Sequence, residues 1–208
     1  RWDSQTDEFI LGISDLFKDA ENVVPTKRNI LKIIASVYDP IGFLSPITIQ
    51  LKLLFQEVCE VSWDDLLSDD LIEKWKLIVE RLKTYSEFRI NRCYFIYDIC
   101  DSIDKIYLHG LSDSSKLAYG AVVYLKGITR SGNIMVSLVC SKARVAPLNK
   151  EHTIPRLELL SNLVLARLIN NVYFTLSNEI SIDGLYCWSD SKVSLSWIKA
   201  TSQEFKTF

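Results

Sequence analysis

Residues that commonly build zinc sites and disulfides are few or poorly spaced in this chain. Among 208 residues there are two histidines, His109 and His152, and neither has a close cysteine or histidine neighbour. The odd number of cysteines, five, shows no CxxC spacing. They are Cys59, Cys93, Cys100, Cys140 and Cys187. This pattern argues against zinc, and the apolar neighbours of the cysteines predict reduced core thiols in an intracellular protein.

An excess of positive charge is also missing. Lysine and arginine number 24 against 26 aspartates and glutamates, which leaves a net charge of -2 and no global attraction for nucleic acid. Any such affinity must therefore come from a local patch. One basic stretch carries a net charge of +3, because four positive residues face the single acid Glu151. Its positive residues are Lys142, Arg144, Lys150 and Arg156.

Long hydrophobic runs are missing as well. No segment resembles a signal peptide, and we expect no apolar run long enough to span a bilayer. The hydrophobic content of 48% still supports a real core, and 208 residues suit one large or two small domains. The chain starts at Arg1 and stops at Phe208 soon after a helical pattern, so we expect it to be part of a larger protein.

The first hundred residues have mostly helical patterns. A short apolar run from Phe9 to Ile13 predicts a strand, and Thr26 is a candidate N-cap for the first helix, which we expect to end near Asp39. A second helix is predicted from Ser45, with a proline in its first turn. Ser68 is a candidate cap for a third helix, whose apolar residues recur at the spacing of one helix face and are predicted to pack on other helices. The stripe consists of Leu71, Trp75, Ile78, Leu82 and Tyr85.

The pattern changes from helical to alternating at about residue 103. Three strands are predicted, the first ending at Asp113 and the others spanning Ala118–Leu125 and Ile134–Cys140. Because Ser131, Gly132 and Asn133 form a strong turn, we expect an antiparallel meander.

A long helix, a buried strand over Leu185–Trp188 and a helix starting at Ser191 are predicted to follow the meander. Thr153 is the candidate cap of the long helix, and Pro155 suits its first turn. The predicted order is therefore β, β, β, α, β, α. The apolar stripe of the long helix is predicted to leave Glu158 outside it. That stripe consists of Leu157, Leu160, Val164, Leu168 and Val172.

Three acids fall at the ends of these elements. Asp113 ends the first strand, Glu158 lies near the start of the long helix, and Asp190 follows the last strand. Taken singly, each acid suits a turn, a helix cap or the positive end of a helix dipole. A sheet that pairs the first strand with the last would bring all three to one edge, where they would repel one another.

Two Mg²⁺ ions about 4 Å apart would remove that repulsion and activate a water for phosphodiester hydrolysis. We therefore predict a two-metal nuclease site. Four serines flank the aspartates, where small hydroxyl side chains would let a nucleic-acid backbone approach, although turn chemistry explains them equally well. They are Ser112, Ser114, Ser189 and Ser191.

Several long motifs carry a family resemblance over nearly the whole chain. They are KRNILKIIASVYDPIGFLSPITIQLK, WDDLL, LHGLSDSSKLAYGAVVYL, SKARVAPL, TIPRLELL and WSDSKVSLSWI. The sequence resembles the Pol polyprotein of BEL/Pao retrotransposons, from the end of the reverse transcriptase into ribonuclease H. The resemblance implies an α/β (α+β overall) chain, in which residues 1–100 are a helical, thumb- or connection-like polymerase tail. It implies that residues 101–208 form a ribonuclease H-like domain with a mixed sheet and flanking helices, incomplete at its C-terminus.

The resemblance also implies a mechanism and partners. Asp113, Glu158 and Asp190 match the first three acids of the ribonuclease H site, which binds two Mg²⁺ or Mn²⁺ ions. The implied substrate is an RNA/DNA hybrid, gripped across its minor groove. We predict phosphate contacts from Lys142, Arg144 and Arg156. Further expected partners are the upstream polymerase palm and the downstream Pol domains, in a cytoplasmic particle or the nucleus, without a membrane.

The chain departs from the family pattern in one respect, and other functions stay open. The family usually supplies a fourth ligand from a later helix, but only Glu204 follows Asp190 as an acid, so we expect the second metal to be poorly held. The alternative is an inactive remnant that binds nucleic acid or protein. An aspartic peptidase, the function in the Pao peptidase heading, lacks support because Asp113 precedes Ser-Ser and Asp190 precedes Ser-Lys.

Overall fold

The chain folds into two compact units. A computed structural model of the protein describes residues 1–12, 20, 22–84, 87–95, 102–148 and 152–200. The first unit is Arg1–Ile96 and the second is Tyr97–Phe208. Among the positions singled out from the sequence, several lie outside the described residues. These are Ile13, Tyr85, Cys100, Lys150, Glu151 and Glu204.

The described part of the first unit contains three helices and a small antiparallel sheet. The helices are α1 (Lys27–Ser36), α2 (Ser45–Glu57) and α3 (Asp69–Lys83). The strands β1 (Trp2–Asp3), β2 (Glu8–Gly12) and β3 (Glu87–Asn91) pair in the order β1-β2-β3. The three helices confirm the sequence prediction, and β2 confirms the strand predicted from Phe9. The partner strand β3 was not predicted, because its alternating residues are followed by no clear turn.

Local sequence explains where these helices begin and what they bury. The Thr26 side chain accepts a hydrogen bond from the Asn29 backbone N–H at 3.3 Å, which satisfies a donor at the start of α1. In α3, Trp75, Val79 and Leu82 are buried, so the face that packs is centred one residue away from the predicted Ile78. These side chains join residues from α1 and α2 in one hydrophobic core.

The second unit is a four-stranded mixed sheet with two helices in its described part. Its strands β4 (Ile103–Ser114), β5 (Ala118–Thr129), β6 (Ile134–Val145) and β7 (Gly184–Trp188) lie in the order β6-β5-β4-β7. Strands β4, β5 and β6 form the predicted antiparallel meander, and β7 runs parallel to β4. Its helices are α4 (Ile154–Leu176) and α5 (Lys192–Lys199). The predicted order β, β, β, α, β, α is confirmed.

The helix α4 packs over β4 and β5, but its buried face differs from the predicted stripe. In the predicted stripe, Leu157 and Val164 are buried, whereas Leu160, Leu168 and Val172 are only partly buried. Ser161, Leu165 and Ile169, which lie outside that stripe, are buried as well. Glu158 is 6% exposed, so the prediction that it lies off the packed face is wrong. Apolar residues occur on several sides of α4, and periodicity alone therefore does not identify the side that meets the sheet.

The prediction that the strand Leu185–Trp188 is buried is also wrong. In β7, Leu185, Tyr186 and Trp188 are 42%, 47% and 55% exposed. Within the described sheet this strand pairs with β4 alone, and α4 lies over β4 and β5 instead. An apolar strand can therefore lie at the edge of a sheet, and an apolar run in the sequence does not distinguish an edge strand from a buried central one.

The predicted core position is wrong for three of the four described cysteines. Cys59, Cys93 and Cys187 are exposed, and Cys140 is half-buried. All four are free thiols, as expected from their spacing. Their apolar neighbours misled the prediction because three of these cysteines lie on surface turns or on the edge strand β7.

One helix contradicts the expectation that no segment is long and apolar enough to span a bilayer. The helix α4 has 23 residues and a mean hydropathy of 1.2 in its most apolar window, which meets both requirements within the described residues. A single such helix is weak evidence for a membrane span, because a core helix of a globular domain meets the same requirements. In this structure one side of α4 packs on the sheet.

Candidate metal centre

Three acidic side chains from three elements meet at one end of the sheet in the second unit. Asp113 lies near the end of β4, Glu158 is the fifth residue of α4, and Asp190 is the second residue after β7. One carboxylate oxygen from each lies within 4.8 Å of the other two. Asp113 and Asp190 are exposed, and Glu158 is buried. These residues are called the acid cluster below.

The parallel pairing of β4 with β7 explains why the two aspartates meet. Leu111 lies opposite Trp188 in the ladder, and each aspartate comes two residues after its member of that pair. Parallel strands bring their carboxyl ends to the same edge of a sheet. The packing of α4 over β4 then adds Glu158 from above. This arrangement is the one that the strand endings predicted.

The electrostatics of the acid cluster favour a bound cation. Burial raises the pKa of the Glu158 carboxyl, Ser114 partly opposes this rise, and the charges of Asp113 and Asp190 add to it. Glu158 Oε2 is buried without a hydrogen-bond partner in the described part of the chain. A buried oxygen beside two further carboxylates offers the ligands that Mg²⁺ and Mn²⁺ prefer. The residues present therefore fit a hard divalent cation.

Sequence reasoning missed a row of hydrogen bonds beside the acid cluster. The Ser112 hydroxyl donates to Asn162 Oδ1 at 2.7 Å, and Asn162 Nδ2 donates to Ser194 Oγ at 2.9 Å. Asn162 and Ser194 each lie four residues after an acid of the cluster, Glu158 and Asp190 respectively. A polar residue four positions after each of these two acids was therefore visible in the sequence, although its partner was not. Only Glu158 and Asn162 share a helix, because α5 begins after Asp190.

The three predicted phosphate-binding residues are exposed around this end of the sheet. Lys142 and Arg144 flank Ala143 on β6, and Ala143 pairs with Gly120, which in turn pairs with Asp113. Lys142 and Arg144 thus lie in the two rows next to the row of Asp113, and the alternation of side chains along β6 directs them to the opposite face of the sheet from Ala143. Arg156 lies in the first turn of α4, two residues before Glu158.

The two histidines lie outside the metal-binding geometry. His109 stacks on Tyr186 with ring centroids 5.2 Å apart, and its Nδ1 accepts a hydrogen bond from Trp188 Nε1 at 3.2 Å. Among the described residues, the acid cluster is the one group of three or more His, Cys, Asp or Glu side chains close enough together to hold a metal ion. The stacking and the hydrogen bond of His109 agree with the expectation of a packing role for that residue.

Comparison with known proteins identifies the relationship of the chain. A family model described as "Pao retrotransposon-like RNaseH-like domain" matches residues 26–191 and therefore includes the acid cluster and parts of both units. A search of curated proteins finds no match. Among solved structures, the foamy viral protease-reverse transcriptase dRH in complex with ds DNA is similar, with 14% identity and a TM-score of 0.49. The alignment covers 94% of this chain and 31% of that one, so the chain spans about a third of that protein.

Proposed function

Because the chain belongs to the family of Pao retrotransposon-like RNase H-like domains, we propose that it hydrolyses the RNA strand of RNA/DNA hybrids by a two-metal mechanism. The observation that carries this proposal is the acid cluster, with three carboxylate oxygens within 4.8 Å of one another. The chain is an RNase H-like part of a retroelement Pol polyprotein. The proposed role of residues 1–100 is that of the polymerase tail.

The chemistry of the acid cluster supports metal-dependent hydrolysis. Asp113, Glu158 and Asp190 are the residues that would hold two Mg²⁺ or Mn²⁺ ions. When bound, such ions activate a water as nucleophile and stabilise the leaving oxygen of a phosphodiester. Burial, and to a smaller extent the charges of Asp113 and Asp190, raise the pKa of Glu158, and a bound cation would counter both effects and keep its carboxylate ionised.

The remaining residues of the proposed site bind and orient the substrate. Lys142 and Arg144 offer positive charge on the edge strand β6, and Arg156 offers it at the start of α4. Phosphate contacts of this kind position a nucleic acid without reading its sequence. Selection of the RNA strand would come from its 2′-hydroxyl groups, which line the minor groove of an A-form-like hybrid.

A cleavage assay with matched substrates tests the proposal. The protein is incubated with an end-labelled RNA/DNA hybrid and Mg²⁺ or Mn²⁺, beside DNA/DNA and RNA/RNA duplexes of the same sequence. We expect loss of the RNA strand from the hybrid alone, and no cleavage after addition of a chelator. The variant Asp113→Asn keeps the shape of the side chain and should be inactive, because it removes a charged ligand of the acid cluster.

Mn²⁺ binding measured on the same preparations separates two forms of failure. A folded protein that binds Mn²⁺ and the hybrid without cleaving it would contradict the nuclease and favour the non-catalytic binding module. Cleavage that persists undiminished in Asp113→Asn would show that the activity arises elsewhere or from a contaminant.

A further inference from the structure

Asn162 links its own helix α4 to the strand β4 and to the helix α5, which begins two residues after Asp190. We infer that Asn162 is a positioning residue, whose amide fixes the metal-holding carboxylates relative to one another. This inference rests on the proposed function of the acid cluster. It concerns a side chain that touches none of the three carboxylates in the described contacts but bonds to the strand and helix beside them.

The hydrogen bonds around Asn162 fix the orientation of its amide. Ser194 Oγ donates to the Ser191 backbone carbonyl at 3.1 Å, so its lone pairs accept from Asn162 Nδ2. The amide oxygen is then directed to Ser112, whose hydroxyl donates to it at 2.7 Å. Each hydroxyl and the amide thus have complementary roles, and no other orientation of the amide satisfies all of them.

Burial makes these bonds consequential. Ser194 is fully buried and Ser112 is 7% exposed. A buried hydroxyl that loses its hydrogen-bond partner cannot bond to water instead, which costs free energy. The network therefore resists rearrangement. One further bond holds the start of α5 in place, since the Ser194 N–H donates to Ser191 Oγ at 3.3 Å.

The spacing of the network places each member next to an acid. Ser112 precedes Asp113 in β4, Asn162 lies one helical turn after Glu158 in α4, and Ser194 lies four residues after Asp190. The β4–β7 ladder already fixes the two aspartates. Apolar packing by itself permits small shifts of α4 along the sheet, whereas two directional hydrogen bonds define where α4 and Glu158 lie.

The variant Asn162→Leu tests the inference, because leucine has a similar volume but no amide. Its control is Asn170→Leu, which makes the same change at an exposed position of α4. Mn²⁺ affinity is measured by electron paramagnetic resonance of the free ion, and folding by circular dichroism. We expect Asn162→Leu to bind Mn²⁺ roughly 10-fold more weakly, as for other partners that orient metal ligands, and Asn170→Leu to match the wild type.

A second readout distinguishes positioning from a general loss of structure. In Asn162→Leu the Mg²⁺ concentration for half-maximal cleavage should rise by a similar factor, and excess Mg²⁺ should recover most of the activity. Ser194→Ala, a smaller change, removes the acceptor of the Asn162 amide and should weaken Mn²⁺ binding in the same direction.

The possible outcomes separate this inference from the proposed function. Equal Mn²⁺ affinity in wild type, Asn162→Leu and Ser194→Ala would overturn the positioning role and leave the nuclease untouched. Mn²⁺ binding that weakens in both variants supports the role even if the wild type proves unable to cleave the hybrid. A wild type that binds no Mn²⁺ would overturn both. Loss of folding in both variants would show that the network serves the fold itself, and would overturn the positioning role.

Discussion

The two units of the chain treat acidic side chains in opposite ways. In the first unit, acids at the surface pair with arginines: the half-buried Asp7 with Arg92 and the exposed Asp64 with Arg28, each at 2.6 Å. The hydrogen bond from its arginine lowers the pKa of each of these aspartates. In the second unit, three acids lie together and the pKa of Glu158 is raised, chiefly by burial. Burying one carboxylate beside two others costs free energy. Acids that the fold nevertheless brings together indicate a functional site more strongly than surface acids paired with arginines do.

The two units also differ in where their buried polar side chains lie. In the first unit the described buried polar side chains are Thr26 and Thr48, near the starts of α1 and α2. In the second unit, Ser112, Glu158 and Ser194 are buried beside or within the acid cluster. Buried polar groups add specificity of arrangement only where they are hydrogen-bonded, as Ser112 and Ser194 are.

The largest expected effect comes from removing one charge in each unit. Asp190→Asn should lower hybrid cleavage by about 100-fold or more, because a metal contributes several kcal/mol to the transition state and 1.36 kcal/mol corresponds to tenfold. Asp64→Asn removes an exposed acid from the first unit and should leave cleavage unchanged. Both rates are measured under single-turnover conditions with saturating Mg²⁺.

Circular dichroism of both variants serves as the control for this pair. Asp190 is exposed, so its substitution should leave the fold intact. Equal activity of Asp190→Asn and the wild type would remove the functional distinction between the two units.

A smaller effect is expected from adding one methyl group at a glycine in each unit. A Cβ at Gly110 would lie 2.4 Å from Leu165 Cδ1 and 3.1 Å from Ile169 Cδ1, both in the packed face of α4. Gly110→Ala should therefore destabilise the protein by about 1–3 kcal/mol, the usual cost of overpacking a core. A Cβ at Gly12 meets nothing within 4 Å, so Gly12→Ala should have little effect.

Urea unfolding measures the stability of Gly110→Ala and Gly12→Ala against the wild type. Their Mn²⁺ affinity adds a test of the acid cluster. Because α4 carries Glu158, a shift of α4 away from β4 in Gly110→Ala should also weaken Mn²⁺ binding. A Gly12→Ala variant as unstable as Gly110→Ala would contradict the described packing.

Local chemistry in the sequence was enough to predict the element order of the second unit and the meeting of the three acids. Helix starts follow from residues such as Thr26 and Pro155, and the acids follow from the ends of strands and the start of a helix. The side of α4 that packs and the exposure of β7 depend on long-range pairing, which local patterns do not encode. The bonds of Asn162 depend on the same pairing, because its partner Ser112 lies 50 residues away.

The smallest expected effect is an opposite dependence of stability on pH in the two units without metal. A carboxyl whose pKa is raised in the folded state, as in Glu158, binds its proton more tightly when folded. The stabilising contribution of Glu158 is fully present below the unfolded pKa of about 4.5 and is lost as the pH rises through the folded pKa. In chelator, Glu158→Gln should therefore gain stability over the wild type toward neutral pH. A gain of about 1 kcal/mol would raise the melting temperature by roughly 2–4 °C in a protein of this size.

Asp64 should show the reverse sign, because the hydrogen bond from Arg28 lowers its pKa in the folded state. Its stabilising contribution is present above the unfolded pKa of about 3.8 and is lost as the pH falls through the folded value. Asp64→Asn should therefore lose a little stability near neutral pH, and its difference from the wild type should vanish in acid. Thermal unfolding of both variants and the wild type from about pH 3 to about pH 8 measures the two differences. Parallel pH profiles for Glu158→Gln and Asp64→Asn would contradict the opposite environments of these two acids.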